Sequence, residues 1–196
     1  MYLMHFNPNH DPKTGRFAKG TVFISGSSRT QDKNSGYYRK KLPKPVRKEI
    51  DSAIKQGKRI IVGDAPGIDR QVQDYLNKKK YGEVEVYGPG NKVRYSANKS
   101  WSTKTIDSGK YKPDTDKWRA EKDIFMAKIA DEAIAVVLEN GGAGATRDNV
   151  KRMIDQNKAV KVYELGSDGD RWIGDIPSGS ADWLKTADKD FYRRIT

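Results

Sequence analysis

Apolar residues follow two different spacings along this chain. Short runs rich in β-branched residues are typical of buried strands, and they occupy residues 21–26, 59–63, 83–88, 133–139 and 159–165. Between them, apolar residues recur every three or four positions and predict amphipathic helices at 42–57, 67–80, 117–133 and 145–158. Strands that alternate with helices form parallel βαβ units. The predicted fold class is therefore α/β and Rossmann-like, with a mostly parallel five-stranded sheet flanked by helices.

The same pattern predicts one domain with polar additions. The domain spans residues 21–165, and a turn-rich basic arm precedes it at residues 1–20. A segment at 89–117 is too long for an ordinary connection between a strand and a helix, so we treat it as an insert. Residues 166–196 form a C-terminal extension, which we predict to end in a helix at 181–194.

Composition narrows the classes of function. The chain has 38 Lys and Arg against 26 Asp and Glu, a formal charge of +12, which favours polyanionic partners. Cysteine is absent, which excludes disulfides, thiolate catalysis and cysteine-bound metals. The two histidines, His5 and His10, lie in the arm, so we predict no metal site and no cofactor. No apolar run is long enough to span a bilayer, so we expect no membrane partner and a cytoplasmic location.

Three glycine-bearing turns follow predicted strands: "SGSSR" at 25–29, "GDAPG" at 63–67 and "ENGGAGATRDN" at 139–149. The carboxyl ends of parallel strands meet at one edge of a sheet, where backbone amides and helix N-termini attract anions. Three such turns at one edge therefore predict a binding site for a phosphate-bearing ligand. The predicted ligand-binding residues are Gly26, Ser27, Ser28, Arg29, Gly63, Asp64, Ala65, Gly67, Gly141, Gly142, Gly144 and Thr146.

Two aspartates accompany the second turn. Asp64 follows the strand directly, where its carboxylate would accept hydrogen bonds from sugar hydroxyls or act as an acid or base. Asp69 falls in the first turn of the next helix, where a carboxylate favours the helix dipole, and we assign it a structural role.

The insert interleaves basic and aromatic residues. Such a segment can bind phosphates while stacking on bases, as a lid over the glycine turns would do. The residues predicted for this role are Arg94, Tyr95, Trp101 and Trp118. The alternative is a flexible insert that Trp101 and Trp118 only anchor to the domain.

Four stretches of the chain, "FISGSSR", "IIVGDAPGIDRQVQDYL", "EKDIFMAKIADEAIAVV" and "NGGAGATRDNV", resemble the SLOG superfamily over residues 21–165. That superfamily includes LOG-type phosphoribohydrolases, the DNA-processing protein DprA and nucleotide-sensing domains of bacterial defence systems. The "GDA-GID--VQ-YL" signature is similar to that of bacterial and phage SLOG-like proteins. The resemblance implies a Rossmann-like fold, a nucleotide or nucleotide-derived ligand at the glycine turns, and a homo-oligomer.

The chain departs from the LOG-type motif "PGGxGTxxE" in the run "NGGAGATRD". Asn140 replaces proline, Ala145 replaces threonine, and Asp148 stands where the family has its glutamate. Aspartate is one methylene shorter, and a displacement of about an ångström can lower a rate on the order of a hundredfold. The run "KD----AD" at 122–131 also resembles nucleoside deoxyribosyltransferases. If these resemblances extend to chemistry, the catalytic residues are Asp148, with Asp64 or Asp123 handling protons; otherwise Asp148 is an ordinary first-turn helix acid.

Three hypotheses of function follow. The first is a domain that binds a nucleotide or a nucleotide-derived ligand, as a sensor or a sequestering protein. The second is an enzyme that cleaves or transfers at a nucleotide N-glycosidic bond. The third, suggested by DprA and by the net charge, is single-stranded nucleic-acid binding through the basic insert. We adopt the first, because the three turns carry it and it accommodates the altered motif.

Overall fold

The computed structural model describes residues 20–28, 41–139, 144–166 and 171–180. The strands are β1 Thr21–Gly26, β2 Arg59–Gly63, β3 Val84–Pro89, β4 Ser102–Ile106, β5 Glu132–Leu138, β6 Ala159–Leu165 and β7 Arg171–Ile176. The helices are α1 Lys44–Lys55, α2 Ile68–Lys78, α3 Asp116–Ile129 and α4 Ala145–Asp155. None of these helices is long and apolar enough to cross a membrane. The predicted helix at 181–194 and residues 1–19 of the basic arm lie outside the described ranges.

The strands form one sheet in the order β4-β3-β2-β1-β5-β6-β7. Pairing is parallel from β4 through β6, and β7 runs antiparallel to β6. Parallel strands need crossover connections, and the four helices lie in those connections. The α/β, Rossmann-like fold predicted from the hydrophobic pattern is therefore confirmed, with the five predicted strands in place.

The prediction of only five strands was wrong, because the sheet has seven. Strand β4 lies inside the insert and reads "STKTI"; four of its five residues are exposed, so it lacks the apolar alternation of a buried strand. Strand β7 reads "RWIGDI", and its Gly174 and Asp175 are residues typical of loops. Both are edge strands, which bury less surface and need less apolar sequence.

Alternation along the strands divides the core into two layers. On one face, Val22 and Ile24 of β1 pack with α1 and α2, and this is the α1 face. On the other face, Phe23 packs with α3 and α4, and this is the α4 face. The central strands are buried on both sides, which explains why their sequences are continuously apolar.

Helix α3 has an inverted polarity. Its side chains Lys122 and Asp123 are buried, whereas Ile124 and Phe125 are 50% and 36% exposed. Met126 and Ala127 pack this helix on the sheet, and the half-exposed Phe125 ring lies 5.8 Å from the Tyr87 ring of β3. A helix that buries an ion pair and exposes apolar residues has a constraint other than stability on this face.

Candidate functional site

The sheet has a topological switch point between β1 and β5. These strands are neighbours, yet the chain leaves β1 towards helix α1 on the α1 face and leaves β5 towards helix α4 on the opposite face. In open α/β sheets, diverging connections leave a crevice outside the carboxyl ends of such strands. We call this the switch-point crevice and define it by residues 25–28 after β1 and 144–149 at the start of α4.

Polar side chains line the described part of the switch-point crevice. The Asn149 side-chain amide donates to Ser25 Oγ at 2.9 Å, which ties the first turns of α4 to the end of β1. Helix α4 begins after Gly144, an N-cap that has no side chain to accept hydrogen bonds from the first amides of the helix. Thr146 is buried, whereas Asp148 and Ser28 are exposed. Of the ligand-binding residues predicted from the sequence, Arg29, Gly141 and Gly142 lie outside the described ranges.

A glycine at the carboxyl end of β1 and another just before the start of α2 allow these two elements to pack closely together. A Cβ on Gly26 would lie 2.1 Å from Ile68 Cγ2, and a Cβ on Gly67 would lie 2.5 Å from the Ser27 carbonyl oxygen. Gly67 also has a φ of +84°, which other residues rarely adopt. The Ile68 amide donates to the same Ser27 oxygen at 3.0 Å. Gly26 and Gly67 therefore fix the start of α2 against the turn that follows β1.

A group of charged side chains, all of them buried except that of Arg94, lies next to the crevice at the carboxyl ends of β2 and β3. Its members come from the turn after β2, from α2, from α3 and from the insert. We call it the buried charge cluster, and it consists of Asp64, Asp69, Arg94, Lys122 and Asp123. Asp64 and Asp123 were predicted as site residues, and the structure brings them into this cluster, whereas Asp148 belongs to the crevice.

Glycines in the strands make room for these charges. A Cβ on Gly63 would lie 2.3 Å from Asp69 Oδ2 and 3.0 Å from Lys122 Nζ. A Cβ on Gly88 would lie 2.8 Å from Asp64 Oδ2. Gly63 was predicted to let a ligand approach the backbone, but the space beside it is filled by the chain's own carboxylate and ammonium groups.

Two carboxylates of the cluster are paired directly with a cation. Asp64 accepts hydrogen bonds from the Arg94 amide at 2.8 Å and from its guanidinium Nε and Nη2 at 3.0 and 2.5 Å. Lys122 Nζ lies 2.5 Å from Asp123 Oδ1. Burial lowers the pKa of Lys122, but the nearby aspartates outweigh that effect and hold it above its usual value. Asp64 and Asp123 are therefore each held in place by a neighbouring cation.

Asp69 is the third carboxylate, and its surroundings favour the neutral form. It is 6% exposed, and its hydrogen bond from the Ala65 amide is long, at 3.4 Å. Burial raises the pKa of Asp69 to about 7, with Lys122 lowering it and Asp123 raising it. The carboxyl group at the N-terminus of α2 therefore changes its protonation near neutral pH. The role predicted for Asp69 from the sequence, a carboxylate that favours the helix dipole, did not include a change of protonation near neutral pH.

The insert is strapped over the start of α2. Besides the Arg94–Asp64 contact, the Gln73 side chain donates to the Gly63 carbonyl at 2.8 Å and accepts from the Ala97 amide at 3.0 Å. The Arg70 guanidinium lies 4.2 Å from the centre of the Tyr95 ring, and Tyr95 also hydrogen-bonds Asp74. Arg94 and Tyr95, predicted to face a ligand as a lid, are engaged in these internal contacts.

The two tryptophans hold the insert to the domain. Trp101 is 5% exposed in the core of the α1 face, and its indole N–H donates to the Tyr81 carbonyl at 2.9 Å. Trp118 lies at the start of α3, and a Cβ on Gly90 would lie 2.5 Å from its ring. These contacts correspond to the anchoring role considered for both residues. A buried ring such as that of Trp101 has no free face for a base.

A second ionic group lies at the far side of the crevice. Glu164 of β6 is 2% exposed, and Arg171 of β7 donates to it at 2.7 Å. Arg147, in the first turn of α4, also contacts Glu164, at 3.4 Å, and donates to the Leu138 carbonyl at 3.0 Å. The Arg147 guanidinium therefore fastens α4 to the ends of β5 and β6.

Sequence reasoning missed Asp69 and Lys122 as site residues. Lys122 was noted only through a resemblance, and Asp69 was treated as a dipole-compensating acid. The available signal was the break in the apolar period of α3, where "KD" occupies buried positions and "IF" occupies exposed ones. Charged side chains are almost never fully buried unless they are paired, so this pattern indicates a buried charged group with partners elsewhere in the chain.

No family model matches this chain, and no curated protein or solved structure is significantly similar to it.

Proposed function

We propose that this protein binds a nucleotide or a nucleotide-derived ligand in the switch-point crevice, as a sensor or sequestering domain of the SLOG type. The observation that carries the proposal is the divergence of the chain after β1 and β5, which leaves polar turns at the carboxyl edge of a Rossmann-like sheet. The described parts of the three glycine turns, at 25–28, 63–67 and 144–149, lie at this edge, and their resemblance to SLOG turns supports the proposal.

The start of α4 favours the phosphate of such a ligand. The helix has an N-cap without a side chain, at Gly144, and the partial positive charge of a helix N-terminus attracts anions. Across the crevice, Ser28 follows β1 and is exposed, and its hydroxyl group can donate to a phosphate oxygen. Asp148 is the exposed carboxylate on this edge and is suited to accept hydrogen bonds from ribose hydroxyls.

Binding is favoured over N-glycosidic cleavage by the state of the other carboxylates. Asp64 and Asp123, the residues predicted to move protons, are each held by a cation at 2.5 Å. The Asp64 side chain is fully buried and that of Asp123 is 11% exposed, so neither carboxylate is presented to a ligand in the crevice. This supports retention of an intact ligand.

The test is a binding measurement with a matched pair of variants. Purified protein is titrated calorimetrically with AMP, ADP, ATP and cyclic AMP, and small molecules that co-purify are identified by mass spectrometry after denaturation. Ser28→Asp places a carboxylate in the crevice, and we expect it to lower nucleotide affinity at least about tenfold by repelling the phosphate. The control is Ser52→Asp, which lies near the amino ends of β5 and β6 beside Glu132 and Ala159. There we expect the nucleotide affinity to change by less than about twofold.

Each alternative has its own result. Equal affinity of the Ser28→Asp and wild-type proteins would place the ligand elsewhere, and no binding of any of the four nucleotides at millimolar concentration would refute the proposal for them. Release of free base and sugar phosphate from an added nucleotide would replace binding by hydrolysis.

A further inference from the structure

We propose that Asp69 takes up a proton when an anionic ligand binds in the switch-point crevice, so that ligand binding at this site is coupled to pH. The inference rests on the proposed function for the place of the ligand. It concerns the regulation of that site, and it is argued from the composition and position of the buried charge cluster.

The cluster contains one carboxylate more than its cations can balance. Asp64 pairs with Arg94, and Asp123 pairs with Lys122. Asp69 has no ion pair within 4.0 Å in the described part of the chain, and it interacts with Lys122 only at longer range. An unbalanced buried carboxylate is stabilised by protonation, since burial of a net charge is costly.

Among the described residues, the charged groups that face Asp69 come from three parts of the chain. The turn before α2 contributes Asp64, and helix α3 contributes Lys122 and Asp123. The insert contributes Arg94, whose guanidinium feels the charge of Asp69. The N-terminus of α2 favours the ionised form, yet burial outweighs it and the pKa of Asp69 lies at about 7. Small changes in local potential therefore change the protonation of Asp69 in the physiological range.

Asp69 lies one strand from the crevice. The β1–β2 register runs from Thr21↔Arg59 to Ile24↔Val62, so Ser25 of the crevice, the next residue of β1, lies beside Gly63. The Asp69 carboxylate occupies the space above Gly63, and neighbouring strands are about 4.8 Å apart. A phosphate at the crevice would therefore approach Asp69 to roughly 10 Å, and the intervening space is largely protein.

The sign of the coupling follows from Coulomb's law. A negative ligand disfavours the ionised form of Asp69 and raises its pKa further, so binding draws a proton from solvent. By linkage, affinity for the anion is highest below the pKa of free Asp69 and falls as pH rises past it. At an effective dielectric of about 20, a charge at roughly 10 Å shifts a pKa by about 1, which corresponds to about a tenfold loss of affinity.

The experiment follows the Asp69 carboxyl carbon by NMR in protein labelled with ¹³C-aspartate, from pH 4 to pH 9. The signal is assigned by its disappearance in Asp69→Asn, and Asp74, exposed on the same helix, is the internal control. The probe is inorganic sulfate at up to about 0.1 M, compared with chloride at equal ionic strength, because sulfate does not titrate in this range. The variant Ser28→Asp tests whether the sulfate effect originates in the crevice.

We expect Asp69 to titrate near 7 and sulfate, which carries two charges, to raise its midpoint by about 2, with Asp74 unmoved and the effect lost in Ser28→Asp. Titration of Asp69 near pH 4, or a midpoint that sulfate does not move, would overturn the inference. Failure of nucleotide binding with an intact sulfate response would refute only the proposed function. Nucleotide binding that leaves the Asp69 midpoint unchanged would refute only the proton coupling.

Discussion

At the scale of single residues, the carboxyl edge of the sheet depends on the absence of side chains as much as on their presence. Gly63 and Gly88 leave room for carboxylates of the cluster, whereas Gly26 leaves room for Ile68. A glycine in a strand marks a close approach of other groups. Here the approaching groups belong to the same chain, and those beside Gly63 and Gly88 are ionisable side chains.

Asp69→Asn tests the cost of ionising a buried carboxyl group. The pKa of Asp69 is raised from 3.8 to about 7, so its contribution to stability is complete below pH 3.8 and is lost as pH rises through 7. Asparagine cannot ionise, so the free energy of unfolding of the variant minus that of wild type should increase by about 2–3 kcal/mol between pH 5 and pH 8. Urea denaturation at the two pH values measures the difference, with Asp74→Asn as the control. A gain below about 1 kcal/mol would show that Asp69 ionises at ordinary pH.

Gly26→Ala tests the packing of β1 against α2. The added Cβ would lie 2.1 Å from Ile68 Cγ2, so strand or helix must move, and overpacking of this kind costs roughly 1–3 kcal/mol. The measurement is the denaturation midpoint. Gly82→Ala, where no atom lies within 4 Å, should change stability by less than about 0.5 kcal/mol. The double variant Gly26→Ala, Ile68→Ala should lose less stability than the sum of the losses of the two single variants, because Ile68→Ala removes the atoms that clash. Losses that simply add would contradict the clash.

At the scale of elements, the insert is an edge strand and a strap, and a salt bridge connects it to the domain. The Asp64 side chain is fully buried, while that of Arg94 is 43% exposed. Removing the arginine of such a pair lowers the free energy of unfolding strongly, because a buried carboxylate is left without its cation. The same contact sets the position of residues 93–97 over α2.

Arg94→Ala should therefore destabilise the protein and loosen the strap. We expect a loss of about 2 kcal/mol, below the range for fully buried pairs because solvent reaches the guanidinium. Hydrogen exchange of the Ala97 amide should accelerate relative to amides of α1. Arg119→Ala, which removes only exposed contacts with Asp114 and Asp116, should cost less than about 0.5 kcal/mol. Addition of Asp64→Asn should restore stability to the Arg94→Ala protein, and its failure to do so would exclude an unpaired charge as the cause.

At the scale of the whole molecule, basic residues and the candidate site are separated. Lys99, Lys104 and Lys110 are exposed on and around β4, at one edge of the sheet. Strand β1 lies three strands away, about 14 Å at usual spacing and beyond the Debye length of about 8 Å in physiological salt. The charges of these three exposed lysines are therefore largely screened from the switch-point crevice.

Replacing Lys99, Lys104 and Lys110 together by alanine separates the nucleotide hypothesis from the nucleic-acid hypothesis. We expect nucleotide affinity to stay within about twofold of wild type, because the crevice is beyond the screening distance. If the insert bound single-stranded DNA, the slope of log affinity against log salt would fall by about 2 in the variant. Calorimetry with AMP and fluorescence titration with an oligothymidylate at three salt concentrations measure the two effects. A tenfold loss of AMP affinity would contradict the separation of the surfaces.

The fold could be predicted from the sequence to a large extent. The central strands and four helices have strong local periodicity, because strands buried on both faces must be apolar and helices on a sheet must be amphipathic. Strands β4 and β7 were missed because edge strands have no such requirement. The glycine turns of the candidate site were found for the same local reason: each follows an apolar strand directly.

The sequence by itself therefore determined the α/β class, the parallel order of βαβ units and the presence of polar turns at one edge. Only the tertiary structure decided the pairing of charges: Asp64 meets Arg94 across 30 positions, and Asp69 is buried beside Lys122 from another helix. Periodicity is a local property that each element carries in its own residues. Burial and electrostatic potential are sums over elements distant in the chain, so the proton on Asp69 is a property of the assembled fold.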